Sequence, residues 1–547
     1  MSSSIVCSDL SFSWPDGAAV LDGLDLAFGT GRTGLVGVNG SGKSTLLRII
    51  AGELAPAGGT VSVGGEVGYL PQNLPLGASR TVGDLLGITP ARAALHAVER
   101  GEIDGVDFDA VVWDVEERAE AELARLGLGA VGLDRTVATL SGGETILVGL
   151  AALFMRQPDV LLLDEPTNNL DLDARERLYD VVTSWTRTMV VVSHDRTLLD
   201  LVDQIVDLPV RRTFGGTYSE YEEVLAVEHE AAERMVRVAE GDLRRQKREL
   251  AEARTKLDRR LRYGRKMYEQ KREPKIIMQE RKRQAQVAAG KHRIMHQEKL
   301  AGARERLAEA EEAVRDDAEI RVELPRTEVP AGRTVLTVTG PALRGPAYAP
   351  AAGGKATGRA GGGKVLEQLV VRGPERIALL GANGSGKTTL LRRIAGELDT
   401  YGGIRADVPA RYLPQRLDVL DDARSVLENV RAFAPSTSVN AARAQLARFL
   451  FRGDRVERAA GTLSGGERFR AVLAALLSAE PAPQLLLMDE PTNNLDLASV
   501  RQLSQALAAY RGALLVAGHD LPFLRSIGVR RWLMADRERG LIEIDAP

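Results

Sequence analysis

The sequence predicts an α/β fold in which one domain with a mostly parallel sheet occurs twice, the copies joined by a long α-helical hairpin. Three observations predict it. Two loops of the form G-x-x-x-x-G-K-[ST] occur, Gly37-Val38-Asn39-Gly40-Ser41-Gly42-Lys43-Ser44 and Gly381-Ala382-Asn383-Gly384-Ser385-Gly386-Lys387-Thr388, each between an apolar run and a helix-like run that starts at Thr45 or Thr389. Four further motifs then recur in the same order in both halves. Between the halves, residues 225–320 carry no clear strand signal and little proline or glycine.

Each repeated element has a chemical reason. Glycines let backbone N–H groups curl around phosphate oxygens, the lysine neutralises β/γ charge, and the Ser or Thr hydroxyl suits Mg²⁺. Leu70-Pro71-Gln72 and Leu413-Pro414-Gln415 follow. Next come Leu140-Ser141-Gly142-Gly143-Glu144 and Leu463-Ser464-Gly465-Gly466-Glu467, which can present amide and hydroxyl donors at a helix start. Two apolar strands then end in acid, Val160-Leu161-Leu162-Leu163-Asp164-Glu165-Pro166 and Leu485-Leu486-Leu487-Met488-Asp489-Glu490-Pro491, each continuing into Thr-Asn-Asn-Leu-Asp. Asp164 and Asp489 suit Mg²⁺ contact, and Glu165 and Glu490, one residue on, suit a water-polarising role. Each half closes on a strand and a histidine, His194 and His519.

The repeat sets the domain limits near 1–222 and 322–547, with residues 223–321 between them. The halves differ in length: 69 positions separate Gln72 from Ser141 but 49 separate Gln415 from Ser464, so 20 extra residues fall within about 89–125. That insertion has helical stretches. Residues 340–364, rich in Gly, Ala and Pro, read as a flexible loop. In the interdomain segment, two antiparallel helices of about 38 residues (about 57 Å) are expected, with an irregular tip near 263–285 punctuated by Gly264 and Pro274.

At 547 residues the chain is too long for one core. Aromatics make up 4%, so aliphatic side chains must fill the cores. A single cysteine, Cys7, excludes an internal disulfide and fits a reducing, cytoplasmic setting. No signal peptide is evident, and no apolar stretch approaches the ~20 residues that span a bilayer. The net charge is −3, which selects no partner by itself. Residues 231–300, however, hold 22 Lys or Arg against 10 Asp or Glu. With tyrosines interleaved in Arg259-Arg260-Leu261-Arg262-Tyr263-Gly264-Arg265-Lys266-Met267-Tyr268, this is a composition for contact with nucleic-acid phosphates and bases.

These motifs together resemble the ATP-binding-cassette ATPases over nearly all of both halves. The resemblance implies head-to-tail docking of the two cassettes within one chain, with each ATP held between one P-loop and the other half's Ser141-Gly142-Gly143 or Ser464-Gly465-Gly466. It implies Mg²⁺ contacts from Ser44, Gln72 and Asp164 and from Thr388, Gln415 and Asp489. Glu165 and Glu490 would activate water, with His194 and His519 at the γ-phosphate. Nucleotide contacts also fall on Thr45 and Thr389, and Trp14 would stack on adenine, with core packing as its rival. Tyr348 lies in the Gly/Ala-rich stretch, and the second half shows no clear adenine-stacking aromatic. Thr145 and Ile146 follow the first signature where Arg468 follows the second, so the two sites are expected to differ.

A fused pair of cassettes with this linker and with Gly216-Thr217-Tyr218-Ser219-Glu220-Tyr221 resembles the ABC-F translation factors. That implies a monomer whose ATP-closed form binds the ribosome at the tRNA exit site, with the linker tip touching rRNA and P-site tRNA. The linker around Pro274-Lys275-Ile276-Ile277 looks like that of members which protect ribosomes from macrolides, lincosamides or similar drugs. A general factor for stalled ribosomes stays open, and so does a transporter energy subunit, which leaves the basic tip unexplained. The acidic ending Leu541-Ile542-Glu543-Ile544-Asp545-Ala546-Pro547 argues against a DNA-binding tail.

Overall fold

The computed structural model describes residues 5–72, 74, 80–101, 112–168, 170–269, 283, 294–295, 298–309, 324–343, 363–398, 403–493 and 495–547. They form two compact units, one of Met1–Ser219 with Glu319–Pro547 and one of Glu220–Ala318.

In the first half of the larger unit, a six-stranded sheet runs in the order Val67–Leu70, Val160–Asp164, Thr188–Val192, Gly31–Val36, Gln204–Asp207, Arg212–Gly215. The first five strands are parallel and the last antiparallel. The second half repeats this order with Ala410–Leu413, Leu485–Asp489, Ala513–Ala517, Arg376–Leu380, Arg531–Asp536, Gly540–Ile544, and a short seventh strand, Lys364–Val365, at the edge. The strands Val160–Asp164, Thr188–Val192, Leu485–Asp489 and Ala513–Ala517 are buried at every residue. Their continuous apolar runs are what a parallel sheet covered on both faces requires.

Each half also carries a three-stranded antiparallel sheet absent from the sequence-based expectation: Ala19–Phe28, Ile5–Ser13 and Gly58–Val63 in the first, Gln368–Arg372, Thr334–Thr339 and Ile404–Ala406 in the second. In Ile5–Ser13 a bulge between Cys7 and Leu10, with Asp9 at φ 50°, turns both Cys7 and Leu10 inward. That break in alternation hides the strand from a period-two reading. The helix Lys43–Ile50 lies between the two sheets. Its Leu46 and Leu47 are wholly buried in one core with Leu10, Phe28, Leu162 and Val190. Burial of this kind, at roughly 1.5–3 kcal/mol per leucine, fixes the helix and therefore the loop at its N-terminus.

The expected insertion carries two helices, Thr89–Glu99 and Val115–Arg125; residues 102–111 lie outside the described chain. Arg92 ties them together, pairing with Glu116 and, at 2.8 Å, with Asp134. Of the Gly/Ala-rich stretch, Gly340–Leu343 forms a short helix and residues 344–362, Tyr348 among them, lie outside the described chain.

The smaller unit corrects the linker reading. One helix runs over Tyr218–Glu269, 52 residues and about 78 Å, and passes through Gly241 and Gly264 without a break. A lone glycine costs a helix about 1 kcal/mol, too little to end one this long. Residues 298–309 are helical as well, and Arg306 donates to Asp242 at 2.7 Å, which pairs the two arms of a hairpin. The expected tip beyond Glu269, including Pro274, lies almost wholly outside the described residues.

Candidate functional site

The sheet order places the candidate residues. In each half three neighbouring parallel strands end on one edge: Asp164 closes one, His194 follows the next, and the first P-loop follows the third. Gln72 follows the outer neighbour, Val67–Leu70, at the same edge. Asp489, His519, the second P-loop and Gln415 repeat this placement. The carboxyl ends of parallel strands are where open α/β sheets bind ligands.

The P-loop backbones are shaped by glycine. Gly42 and Gly386 sit at the helix starts with φ of 92° and 96°, a region that side chains disfavour. Lys43 Nζ donates to the carbonyls of Gly37 and Val38 at 2.8 and 3.0 Å. Lys387 Nζ donates to Gly381 O at 2.6 Å, and the Ser44 hydroxyl donates to Asp164 at 3.0 Å. Tyr69 and Tyr412 hydroxyls donate to the same aspartates, Asp164 and Asp489, at 3.4 and 3.1 Å. The Thr388 hydroxyl bonds Asp489 and lowers its pKa in part. A hydroxyl and a carboxylate side by side are hard oxygen donors, a set that fits Mg²⁺. Ser41 Oγ and Ser385 Oγ are buried with no hydrogen-bond partner among the described residues. Buried hydroxyls of that kind fit a polar ligand in the loop.

Glu165 and Glu490 occupy the left-handed region, at φ 49° and 46°, with their N–H groups bonded to Val192 O and Ala517 O at 2.8 Å. Such backbone strain is stored at functional sites. His194 Nε2 lies 3.2 Å from Glu165 and 3.2 Å from Asn39 Oδ1. His519 Nε2 lies 3.3 Å from Glu490 and accepts from Lys387 Nζ at 3.0 Å. The two sites thus differ in what their histidine touches.

Burial dominates the electrostatics. It pushes the Glu165 carboxyl up to about 8, against the pull of Lys43, and raises Glu490 too. It drives His194 down to about 3 and His519 well below its ordinary value, so both imidazoles are neutral at pH 7. A carboxyl held above its unfolded pKa keeps its proton when the unfolded chain has lost it. Its contribution to stability is therefore complete below about pH 4.5 and lost as pH rises to about 8. Glu165→Gln should gain stability relative to the unaltered chain between pH 5 and 8 in denaturant titrations. An unchanged difference across that range would contradict the burial assigned to Glu165.

The two halves meet at these sites. A cavity of about 570 Å³ at the second P-loop is lined by Lys387, Thr388, Thr389, Gln415, Glu490 and His519, and also by Gly142 and Leu170 of the first half. Asp171 and Asp496, which end the Thr-Asn-Asn-Leu-Asp runs and carry no role in the sequence-based expectation, make the reciprocal contacts. One oxygen of each caps its own helix, at Ala174 N and Ser499 N. The other accepts from the opposite P-loop: Asp496 from Asn39 N at 3.0 Å and Asp171 from Asn383 N at 3.4 Å. The signal was available, since each Asp precedes a helical run as an N-cap.

Ser141 and Ser464 begin the helices Gly142–Arg156 and Gly465–Ser478. Each Ser Oγ accepts from the N–H of Glu144 or Glu467, whose carboxylate accepts the serine N–H in return, at 2.7 and 3.0 Å. This capping box gives the glutamate of the motif a structural role. It also uses the serine amide, leaving the hydroxyl hydrogen and the glycine amides as outward donors. Trp14 is 38% exposed, and its ring stands at 89° to that of Phe12 with 5.1 Å between centroids.

Two paired α/β units that each carry a P-loop and each lend an aspartate to the other's loop define a tandem ATP-binding-cassette protein. The family model described as ABC transporter matches residues 21–168 and 368–493. The chain is 34% identical over 539 residues to the tylosin resistance ATP-binding protein TlrC of Streptomyces fradiae, with 92% of each chain covered. It is 29% identical to ABC transporter F family member 5 of Arabidopsis thaliana, over 91% of this chain and 70% of that one. Among solved structures, the RNase-L inhibitor shares its fold at a TM-score of 0.52 and 20% identity, with 94% and 85% covered. The chain belongs to the ABC-F family of ATP-binding-cassette proteins. It therefore has two ATP-binding domains of a hydrolysing class. Among the described residues no helix is long and apolar enough to cross a membrane.

Proposed function

We propose that the chain is a cytoplasmic ATPase that binds the ribosome in its ATP-closed form and protects it from drugs acting on the large subunit. Lys43 and Lys387 neutralise phosphate charge, and the loop amides of residues 37–45 and 381–389 cradle the phosphates. Ser44, Asp164 and Gln72, and Thr388, Asp489 and Gln415, would hold Mg²⁺, which when bound supplies charge neutralisation at the phosphates. Glu165 and Glu490 orient the attacking water, and the neutral His194 and His519 hydrogen-bond near the γ-phosphate. Ser141, Gly142 and Gly143 close the second site, as Ser464, Gly465 and Gly466 close the first. Trp14 offers its ring to adenine. ATP then holds the cassettes together, and its hydrolysis releases them.

The observation that carries the ribosomal reading is the basic excess of the hairpin, 22 Lys or Arg against 10 Asp or Glu over residues 231–300. A one-signed excess on a long helical arm fits an RNA backbone and serves no purpose in an isolated solvated hairpin. Its tip would enter from the tRNA exit site toward P-site tRNA. The tylosin resistance relative supports the drug-protection half of the reading. Expression in a susceptible bacterial host is expected to raise the inhibitory concentration of macrolides or lincosamides several-fold, and that of small-subunit drugs not at all. Unchanged values across a panel of large-subunit drugs would leave a general factor for stalled ribosomes as the reading.

A further inference from the structure

Among the described residues, the two cassettes share a contact made by an arginine that the matching position of the second half lacks. Arg175 lies on the first half's helix Leu172–Ser184, four residues after the cross-contacting Asp171. The matching position after Asp496 is Val500, buried in the apolar core of its own half. The Arg175 side chain is only 11% exposed. Its guanidinium donates to Asp195 at 3.1 Å and to the backbone carbonyl of His519, in the other half, at 3.5 Å. Its Nε donates to Leu170 O at 3.3 Å, and Tyr179 OH donates to Asp195 at 2.7 Å, which fixes the carboxylate that orients the arginine. Tyr179 is likewise unmatched, since Ser504 stands at its place in the second half.

The charge of Arg175 reaches the second nucleotide site. It lowers the pKa of Glu490 and that of His519, and it partly offsets the burial of Asp520. The charge of Asp195 raises the pKa of Asp520, its equivalent in the other half, and the charge of Arg175, which pairs with Asp195, lowers it. At the first site, the charge of Asp496 from the second half acts on Lys43 and His194. There the electrostatic partners of Glu165 are Lys43, Asp164 and Asp195.

We propose that Arg175 is a positioning residue for the second ATP site, so that closure of the first cassette onto the second sets the His519 backbone through the Arg175–Asp195–Tyr179 network, while the first site turns over without such a control. An arginine with several fixed acceptors is suited to this, because each hydrogen bond constrains its planar fork. A leucine-like Val500 cannot supply it. The proposal rests on the hydrolytic reading of both sites given above.

The test traps hydrolysed nucleotide with vanadate, using 8-azido-[α-³²P]ATP in the full chain, then cleaves the linker and counts label in each half. The unaltered chain, Arg175→Met and Arg175→Lys are compared, with steady-state kinetics on each. Arg175→Met is expected to lower label in the second half about 10-fold relative to the first, with kcat reduced and KM within about 2-fold. Arg175→Lys, which keeps the charge but loses the fork, should recover part of it. Equal loss from both halves would mark Arg175 as merely structural and overturn the inference, as would unchanged label in both. Absence of trapped label from either half of the unaltered chain would instead overturn the hydrolytic reading, and this inference with it.

Discussion

Replacing both Glu165 and Glu490 by glutamine is expected to lower ATP turnover about 10²–10⁴-fold and to leave the chain locked on ribosomes in the presence of ATP. Glutamine keeps the shape of the side chain and removes the ionisable carboxyl that orients the attacking water. Both glutamates are buried at strained backbone positions, and each is within 3.3 Å of a neutral histidine that cannot substitute as a fixed anion. The lysines, loop glycines and signature helices that bind nucleotide are untouched, so binding and closure persist while opening stops. Ribosome pelleting with and without ATP checks the outcome. A double variant that turns over ATP at the original rate refutes the role given to the glutamates. One that is inactive yet fails to co-sediment refutes the translation-factor reading.

Neutralising the linker should break the other half of the mechanism. The eleven Lys and Arg residues from Arg259 to Arg283 can be changed to glutamine, which has nearly their helix propensity. The helix Tyr218–Glu269 should therefore persist. Ribosome affinity at ordinary ionic strength is expected to fall at least about 100-fold, and the dependence of binding on salt should flatten, because phosphate contacts release counter-ions in proportion to their number. Turnover of ATP away from ribosomes should stay within about 2-fold. Filter binding across a salt series measures both quantities. Intact association at 150 mM salt, about 8 Å of Debye length, would show that the hairpin's charge is only a solvated face.

Reading the chain in order located both P-loops, both acid-ended strands and both histidines because these are local patterns. Phosphate cradles need glycine at particular turns, and buried parallel strands need unbroken apolar runs. The bulged strand Ile5–Ser13 escaped because its inward residues, Cys7 and Leu10, break alternation. Gly264 marks a helix end by local sequence alone, whereas neighbouring turns carry the helix Tyr218–Glu269 past it. The glutamates of the two signatures close capping boxes, which Ser-x-x-Glu spells locally.

What the sequence determined by itself is the duplication, the order of motifs, and the charge of the hairpin, since each depends on residue type and spacing along one stretch of chain. Only the tertiary structure decided which groups share a site. Asp496 meets Asn39 across 457 positions, and Arg175 meets His519 across 344. Contacts of that kind are set by how two separately folded sheets dock. Their strength lies in buried geometry between surfaces, which no local pattern encodes.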